Sequence, residues 1–260
     1  MLPASFWYGN VSATIGFDAH FVPRSGKRAF VRRAFLFNNS GSAGRVGIGS
    51  RFGIQTVGGV YTKYECGQIG ATGVYTRDTT DFIDAGANDF AVSTTVDNTG
   101  CILAAYQPWN FAKIVVGTAE GGVAGVYAYQ YWNGTAWTAL TPVDTLDWAS
   151  ATTQYLRFNL PIDWAMGGTD DAGNAISELV GKYALKVKAT TAPTVAGALV
   201  TSGLLGTIQD MRRVAAGAEA EIASYMEQAV AVVGDGDSFT VLWPAADATN
   251  YVSITGEEKL

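Results

Sequence analysis

A single histidine, His20, limits the acid–base and nucleophilic chemistry open to this 260-residue chain. A Ser-His-Asp or Cys-His device would have to use it. Asp18, the carboxylate nearest in sequence, is too close along the chain to orient the imidazole easily from a strand. The expectation is a structural or surface histidine. Metal sites built on two histidines are excluded, and the two cysteines, Cys66 and Cys101, complete neither a zinc cluster nor a disulfide framework. Both thiols are expected to be reduced and partly buried.

Three further stretches have chemically suggestive spacing. Asp235-Gly236-Asp237-Ser238 opens like a calcium loop, but the distant carboxylate that completes such a loop is missing from its place, so a plain turn is expected. Asp170-Asp171, in a glycine-rich loop, receives the same reading. Gly47-Ile48-Gly49-Ser50-Arg51-Phe52-Gly53 has the wrong spacing for a dinucleotide loop and no βαβ pattern around it. A strand edge or bulge explains it better. Paired carboxylates of a glycosidase need only meet in space, which leaves a polysaccharide hydrolase open. Trp132, Trp137 and Trp164 could stack on sugar rings, although core packing is the expected use of such side chains. No cofactor is expected.

Composition favours strands over helices. Thirty-one glycines and recurrent Thr, Val and Tyr suit short strands and tight turns. Charged residues make up only 15%, against roughly 25% in an ordinary soluble domain, which suggests a surface partly covered by neighbours. No apolar run reaches the ~18 residues of a membrane helix, and the start of the chain has no signal-peptide pattern. Synthesis in the cytosol without secretion is expected.

Charge is uneven along the chain. Residues 1–51 hold seven basic residues (Arg24, Lys27, Arg28, Arg32, Arg33, Arg45, Arg51) and one acid, Asp18, whereas the rest holds ten basic and 22 acidic residues. This polarity suits layered packing of copies or docking on an acidic partner, with Arg24, Lys27, Arg28, Arg32 and Arg33 as candidate interface residues. Nucleic acid is a weaker candidate, because the basic stretch contains no recognisable binding module and the whole chain is acidic.

The elements follow from turn signals and alternation. Gly58-Gly59 marks a hairpin within Ile48–Tyr64. Val123–Trp132 sets Tyr127, Tyr129 and Tyr131 on one face, with Gln130 and Trp132 on the other. Asn133-Gly134 predicts a two-residue turn that pairs Trp132 with Thr135 and Gln130 with Trp137, leaving the two tryptophans diagonal on one face. Tyr183–Lys188 alternates, with Lys186 and Lys188 expected outward. Residues 207–230 fit a helical stripe (Ile208, Met211, Ala215, Ala218, Ile222, Tyr225, Ala229) and, over Ala218–Met226, also a strand. Ala229–Val233 and Ser238–Trp243 read as a last hairpin.

Three motifs in order carry a resemblance. Tyr131-Trp132-Asn133-Gly134-Thr135-Ala136-Trp137, then Leu160-Pro161-Ile162-Asp163-Trp164, then Tyr183–Lys188 running into Thr190-Thr191-Ala192-Pro193, resemble a β-sandwich module of tailed-bacteriophage and prophage virion proteins. That module carries a Y-W-(N/D)-G-x-x-W hairpin, a P-x-D-W element and a Y-W-(L/I)-(R/K)-(V/I)-(R/K) strand ending in T-x-A-P. The resemblance spans roughly residues 78–195 and departs from the pattern at Ala184, where a second aromatic is usual. It implies a virion role without catalytic residues: capsid decoration or cement, a head or neck component, or a baseplate or fibre module.

The reading is therefore an all-β protein with an antiparallel β-sandwich or jelly-roll-like module at 78–200. A basic β-rich segment at 1–77 and a segment at 201–260 flank it and pack together. The function implied is non-enzymatic assembly in a virion through other virion proteins or copies of itself, with no membrane partner. The alternative is a tail, baseplate or fibre adhesion module that binds host-surface glycan.

Overall fold

The computed structural model describes residues 4–12, 18–38, 44–54, 56–57, 60–61, 63–84, 86, 90–215, 217–223, 229–242 and 250–259. The protein is mostly β, in several antiparallel sheets. The chain opens with β1 (Ala4–Ser12), β2 (Asp18–Phe21), β3 (Arg28–Asn38) and β4 (Gly44–Arg51). Next come β5 (Thr56–Val57), β6 (Val60–Tyr61), β7 (Tyr64–Ile69), β8 (Tyr75–Arg77), a short helix α1 (Thr79–Ile83) and β9 (Phe90–Ala91). They are followed by β10 (Gly100–Ala105), β11 (Phe111–Thr118), β12 (Val126–Trp132), β13 (Trp137–Leu140), β14 (Thr153–Arg157) and β15 (Tyr183–Thr191). The long β16 (Leu199–Val214), β17 (Ala218–Ala223), β18 (Ala231–Val233), β19 (Ser238–Leu242) and β20 (Asn250–Lys259) complete the order.

The chain folds into two compact units. One combines Met1–Gly53 with Gly206–Leu260, and the other is the intervening Ile54–Leu205. The first boundary lies upstream of residue 77 because β7 and β8 belong to the main sheet of the inserted unit.

In the discontinuous unit, one sheet runs β1-β20-β3-β17, with β18 also on β3, and a second set runs from the 206–214 part of β16 through β4 and β19 to β2. Val31, Leu36, Val46, Ile48, Phe239, Val241, Val252 and Ile254 belong to one buried core. On β3 the buried positions Ala29 and Val31 change phase to Ala34 and Leu36, because the register against β20 slips between Thr255 and Gly256 and leaves Arg32 as an extra residue. Gly49 is fixed by close approach: a Cβ there would lie 1.7 Å from the Thr207 carbonyl oxygen. Gly47–Arg51 of that stretch is thus interior strand opposite a bulge at Ile208/Asp210, not a nucleotide loop.

Two ambiguities of the C-terminal third are resolved in favour of strands. Residues 207–214 and 218–223 are β16 and β17, where partners on β4 and β3 supply the backbone bonds a helix would have made internally. Residues 224–228, including Tyr225 and Met226, lie outside the described set. The expected final hairpin does not form. β18 pairs with β3 and β19 pairs with β4 and β2, so Gly234–Asp237 carries the chain from one sheet to another.

The inserted unit is built on a six-stranded antiparallel sheet, β13-β12-β15-β10-β7-β8. A further set, β14-β11 with the 199–205 part of β16 and β9, supplies its other layer. β5 and β6 pair as Thr56↔Tyr61 and Val57↔Val60, flanking the expected turn at Gly58-Gly59, which lies outside the described residues. Gly203 admits the ring of Phe82 on α1, since a Cβ there would lie 2.0 Å from that ring.

Candidate functional site

The three sequence motifs converge within the inserted unit. Tyr131 donates its hydroxyl to Asp163 Oδ1 (2.8 Å), and the Ala165 amide donates to the Trp132 carbonyl (2.9 Å). Trp164 donates its indole N–H to the Ala184 carbonyl (3.1 Å) and meets the Tyr183 ring edge to face at 5.8 Å. Trp109 and Phe158 complete this aromatic cluster, with Trp109 donating to the Tyr183 carbonyl. A buried indole N–H gains from such an acceptor, and these tryptophans find theirs on β15.

The hairpin forms in a different register from the one expected. Trp132 pairs directly with Trp137, Tyr131 with Thr138 and Gln130 with Ala139. Residues 133–136 make a four-residue loop closed by the Asn133 amide on the Ala136 carbonyl. Asn133 Oδ1 accepts from the backbone amides of Thr135 and Ala136, and Gly134 alone takes a positive φ, at 99°. This side-chain capping wins over a type I′ turn, which needs positive φ at both residues. The tryptophans still share a face, as direct partners with ring centroids 5.5 Å apart.

Lys186 is not outward-facing. Its side chain is only 4% exposed, under the loop 167–182, and its Nζ lies 2.7 Å from Asp171 Oδ1 and 4.7 Å from the centre of the Trp137 ring. Lys188 Nζ reaches the other oxygen of the same carboxylate at 2.8 Å. Burial pushes the Asp171 carboxyl up, but the two ammonium groups outweigh it and hold the carboxyl below its usual range. Burial pulls Lys186 down, opposed by Asp171. Ile176 and Leu179 of the loop plug the same sheet face against Ile69, Ile102 and Ala184. Nearby, buried Glu65 accepts from Tyr75 (2.8 Å) and pairs with Arg77 (2.9 Å), while desolvation keeps its carboxyl above the ordinary value. Asp170-Asp171 therefore clamps a loop.

The basic cluster is largely compensated within its own unit. Arg24 pairs with Glu258, Arg32 with Glu257 at 3.2 Å and Arg33 with Glu221 at 2.8 Å. Lys27 is half-buried and Arg28 exposed. Because residues 206–260 fold with residues 1–53, that unit holds ten basic and ten acidic residues, and the inserted unit, with seven and thirteen, carries the whole net charge of −6. Polarity along the sequence is thus lost in the fold.

Asp235 and Asp237 behave as turn residues. Asp235 Oδ1 accepts from the Gly26 amide and Asp237 Oδ1 from the Gly53 amide. His20 and Asp18 belong to β2, and their side chains lie outside the described set. Among the described residues no group of three or more His, Cys, Asp or Glu could hold a metal ion. Cys66 and Cys101 are free and fully buried, which raises both thiols, Cys101 to about 12.

One cavity that the motifs did not indicate, open to solvent on one side, holds about 270 Å³ between Glu120, Gly125, Tyr127, Tyr129, Asp147 and Trp148. Glu120 is held by the Gly125 amide and the Tyr127 hydroxyl. Tyr127 also meets Ser93 Oγ at 2.7 Å, and the buried Trp148 Nε1 has no hydrogen-bond partner among the described residues. The row of tyrosines on β12 was the available signal, since half-buried phenols require polar partners. Asp147 and Trp148 sit in a segment without periodicity, where sequence alone gives no such signal.

No family model matches this chain, and no curated protein matches it. Among solved structures it is similar to chitosan-binding module 1 derived from a chitosanase/glucanase of Paenibacillus sp. IK-5, at 17% identity over 55% of this chain and 94% of that one, with a TM-score of 0.31. It is also similar to VP17, a capsid protein of bacteriophage P23-77, at 8% identity over 99% and 96% of the two chains (TM-score 0.14). A third is the mavirus penton protein, at 7% identity over 99% and 91% (TM-score 0.12).

Proposed function

We propose that this chain is a non-enzymatic structural protein of a tailed-phage particle, a decoration or cement protein on the head, assembled in the host cytoplasm. It docks on the major capsid protein or on neighbouring copies of itself. The observation that carries this reading is the apolar surface of the inserted unit. Val123 is 70% and Val195 69% exposed on one tip, where Gly121–Val123 pairs with Thr194–Ala196, and Val126 is exposed beside them. Leu160, Ile162 and Met166 are exposed around the buried Trp164. Such clustering on a chain with 15% charged residues fits an interface that a partner covers.

The arginines paired above are poor docking groups, because a partner would first have to break their ion pairs. Binding is therefore driven by apolar contact and depends only weakly on salt. Glycan adhesion through Trp132, Trp137 and Trp164 loses its basis, since Trp132 and Trp164 are buried and Trp137 packs against the loop core.

A double variant, Val123→Lys with Val195→Lys, tests the reading against particles lacking the protein. The expected outcome is loss of particle binding with unfolding behaviour unchanged. Wild-type binding by the variant would overturn the proposed docking surface.

A further inference from the structure

We propose that the cavity bounded by Glu120, Tyr127, Asp147 and Trp148 binds a small organic ammonium group. At about 270 Å³ it falls just below the ~300–1,000 Å³ of sites for drug-sized ligands, a size suited to a single headgroup. Three aromatic rings, Tyr127, Tyr129 and Trp148, line it. The Tyr127 and Trp148 rings lie 6.0 Å apart between centroids and are tilted by 60°, so they form two walls of a corner instead of a flat stack. The negative face of an aromatic ring attracts a cation, and cages of such rings recognise alkylated ammonium groups.

The charges in the wall point the same way. Glu120 and Asp147 line the cavity, and among the described residues neither lysine nor arginine does. Glu120 is fixed by the Gly125 amide and the Tyr127 hydroxyl, and Asp147 by the Ala149 amide and Ser150 hydroxyl, so both carboxylates are positioned before a ligand arrives. An anionic ligand would meet two like charges. A neutral apolar ligand would desolvate the carboxylates and return nothing to them. The inserted unit also carries the chain's entire net charge of −6, which draws cations towards it.

Choline is the probe, titrated calorimetrically into the full chain beside its neutral carbon isostere, in which a tert-butyl group replaces trimethylammonium. The expected result is saturable binding of choline at one site, with the isostere at least about tenfold weaker. Glu120→Gln and, separately, the exposed Asp147→Asn should each weaken choline binding; if Glu120→Gln misfolds, Asp147→Asn alone decides. The proposal is overturned by no choline binding, by equal binding of the isostere, or by unchanged binding in the folded variants. It does not depend on particle docking, so a chain that docks on particles but ignores choline overturns this inference alone.

Discussion

Asp171 bridges Lys186 and Lys188, two residues of one strand, with its Oδ1 2.7 Å from one ammonium and its Oδ2 2.8 Å from the other. The contact fastens loop 167–182 over the six-stranded sheet and buries Lys186 against Trp137. Removing the carboxylate would leave a desolvated lysine without its counter-charge, the costly half of a buried ion pair. Asp171→Asn should therefore lower stability at neutral pH by about 1–3 kcal/mol in urea titrations. The sign with pH follows from a folded carboxyl held below its unfolded value of about 3.9. Its contribution is complete above that value and fades as pH falls towards the lowered folded value, so wild type and variant should converge in acid. Lys186→Ala should cost more than Lys188→Ala, whose side chain is 23% exposed.

Glu65 has the opposite sign. Its carboxyl is raised by burial, so it weakens the fold as pH rises from the unfolded value of about 4.3 to the folded one. Glu65→Gln should remove that component. Its stability relative to wild type should improve with rising pH through this window, measured by denaturant midpoints at several pH values.

The aromatic hairpin supplies a packing prediction. Trp132 and Trp137 are direct cross-strand partners, 5.5 Å apart and nearly edge to face. A double-mutant cycle with alanine at both positions should return a coupling of about 0.5–1.5 kcal/mol. A Gln130–Trp137 cycle should return less, because those residues are not paired in this register.

Much of this hairpin was legible in the sequence. The period-two pattern of Tyr127–Trp132 and the Asn133-Gly134 signal place both strands, and the parity of the pattern sets both tryptophans on one face whether the loop has two or four residues. The register was not legible, because it turns on Asn133 capping two backbone amides in place of a primed turn. Lys186 misled for a related reason. Alternation gives the face but not what lies on it, and a loop with its own aspartate covers that face from outside. The two strands at 207–223 were ambiguous because the partners that decide them, β3 and β4, lie more than 150 residues earlier in the chain. The same long-range pairing brings Glu221, Glu257 and Glu258 onto the basic strands. The cavity was least legible, since its two carboxylates meet only in the fold.

Ion pairs in the discontinuous unit should rank by burial. Glu258 is buried beside Arg24, whereas Arg33 and Glu221 are both about half exposed. Glu258→Ala should cost about 1–2 kcal/mol through the hydrogen bonds lost from the Arg24 amide and guanidinium, since Arg24, 69% exposed, is left in water. Arg33→Ala should cost less than about 1 kcal/mol. Thermal and urea unfolding of the two variants compare them directly.

Gly49→Ala should be among the most damaging small substitutions, because the added methyl meets a backbone carbonyl that cannot swing away. A loss of about 1–3 kcal/mol or more is expected, read from the urea midpoint. Gly26→Ala, with open space around it but a positive φ of 73°, should cost about 1 kcal/mol through backbone strain alone.

The central claim, that this chain clads a phage particle through apolar contacts, is tested most directly by co-sedimentation with particles lacking it, followed by electron microscopy of the pellet. Saturable binding at regular lattice positions, holding from low to moderate salt, is the predicted result. A protein that stays in the supernatant at every salt concentration contradicts it.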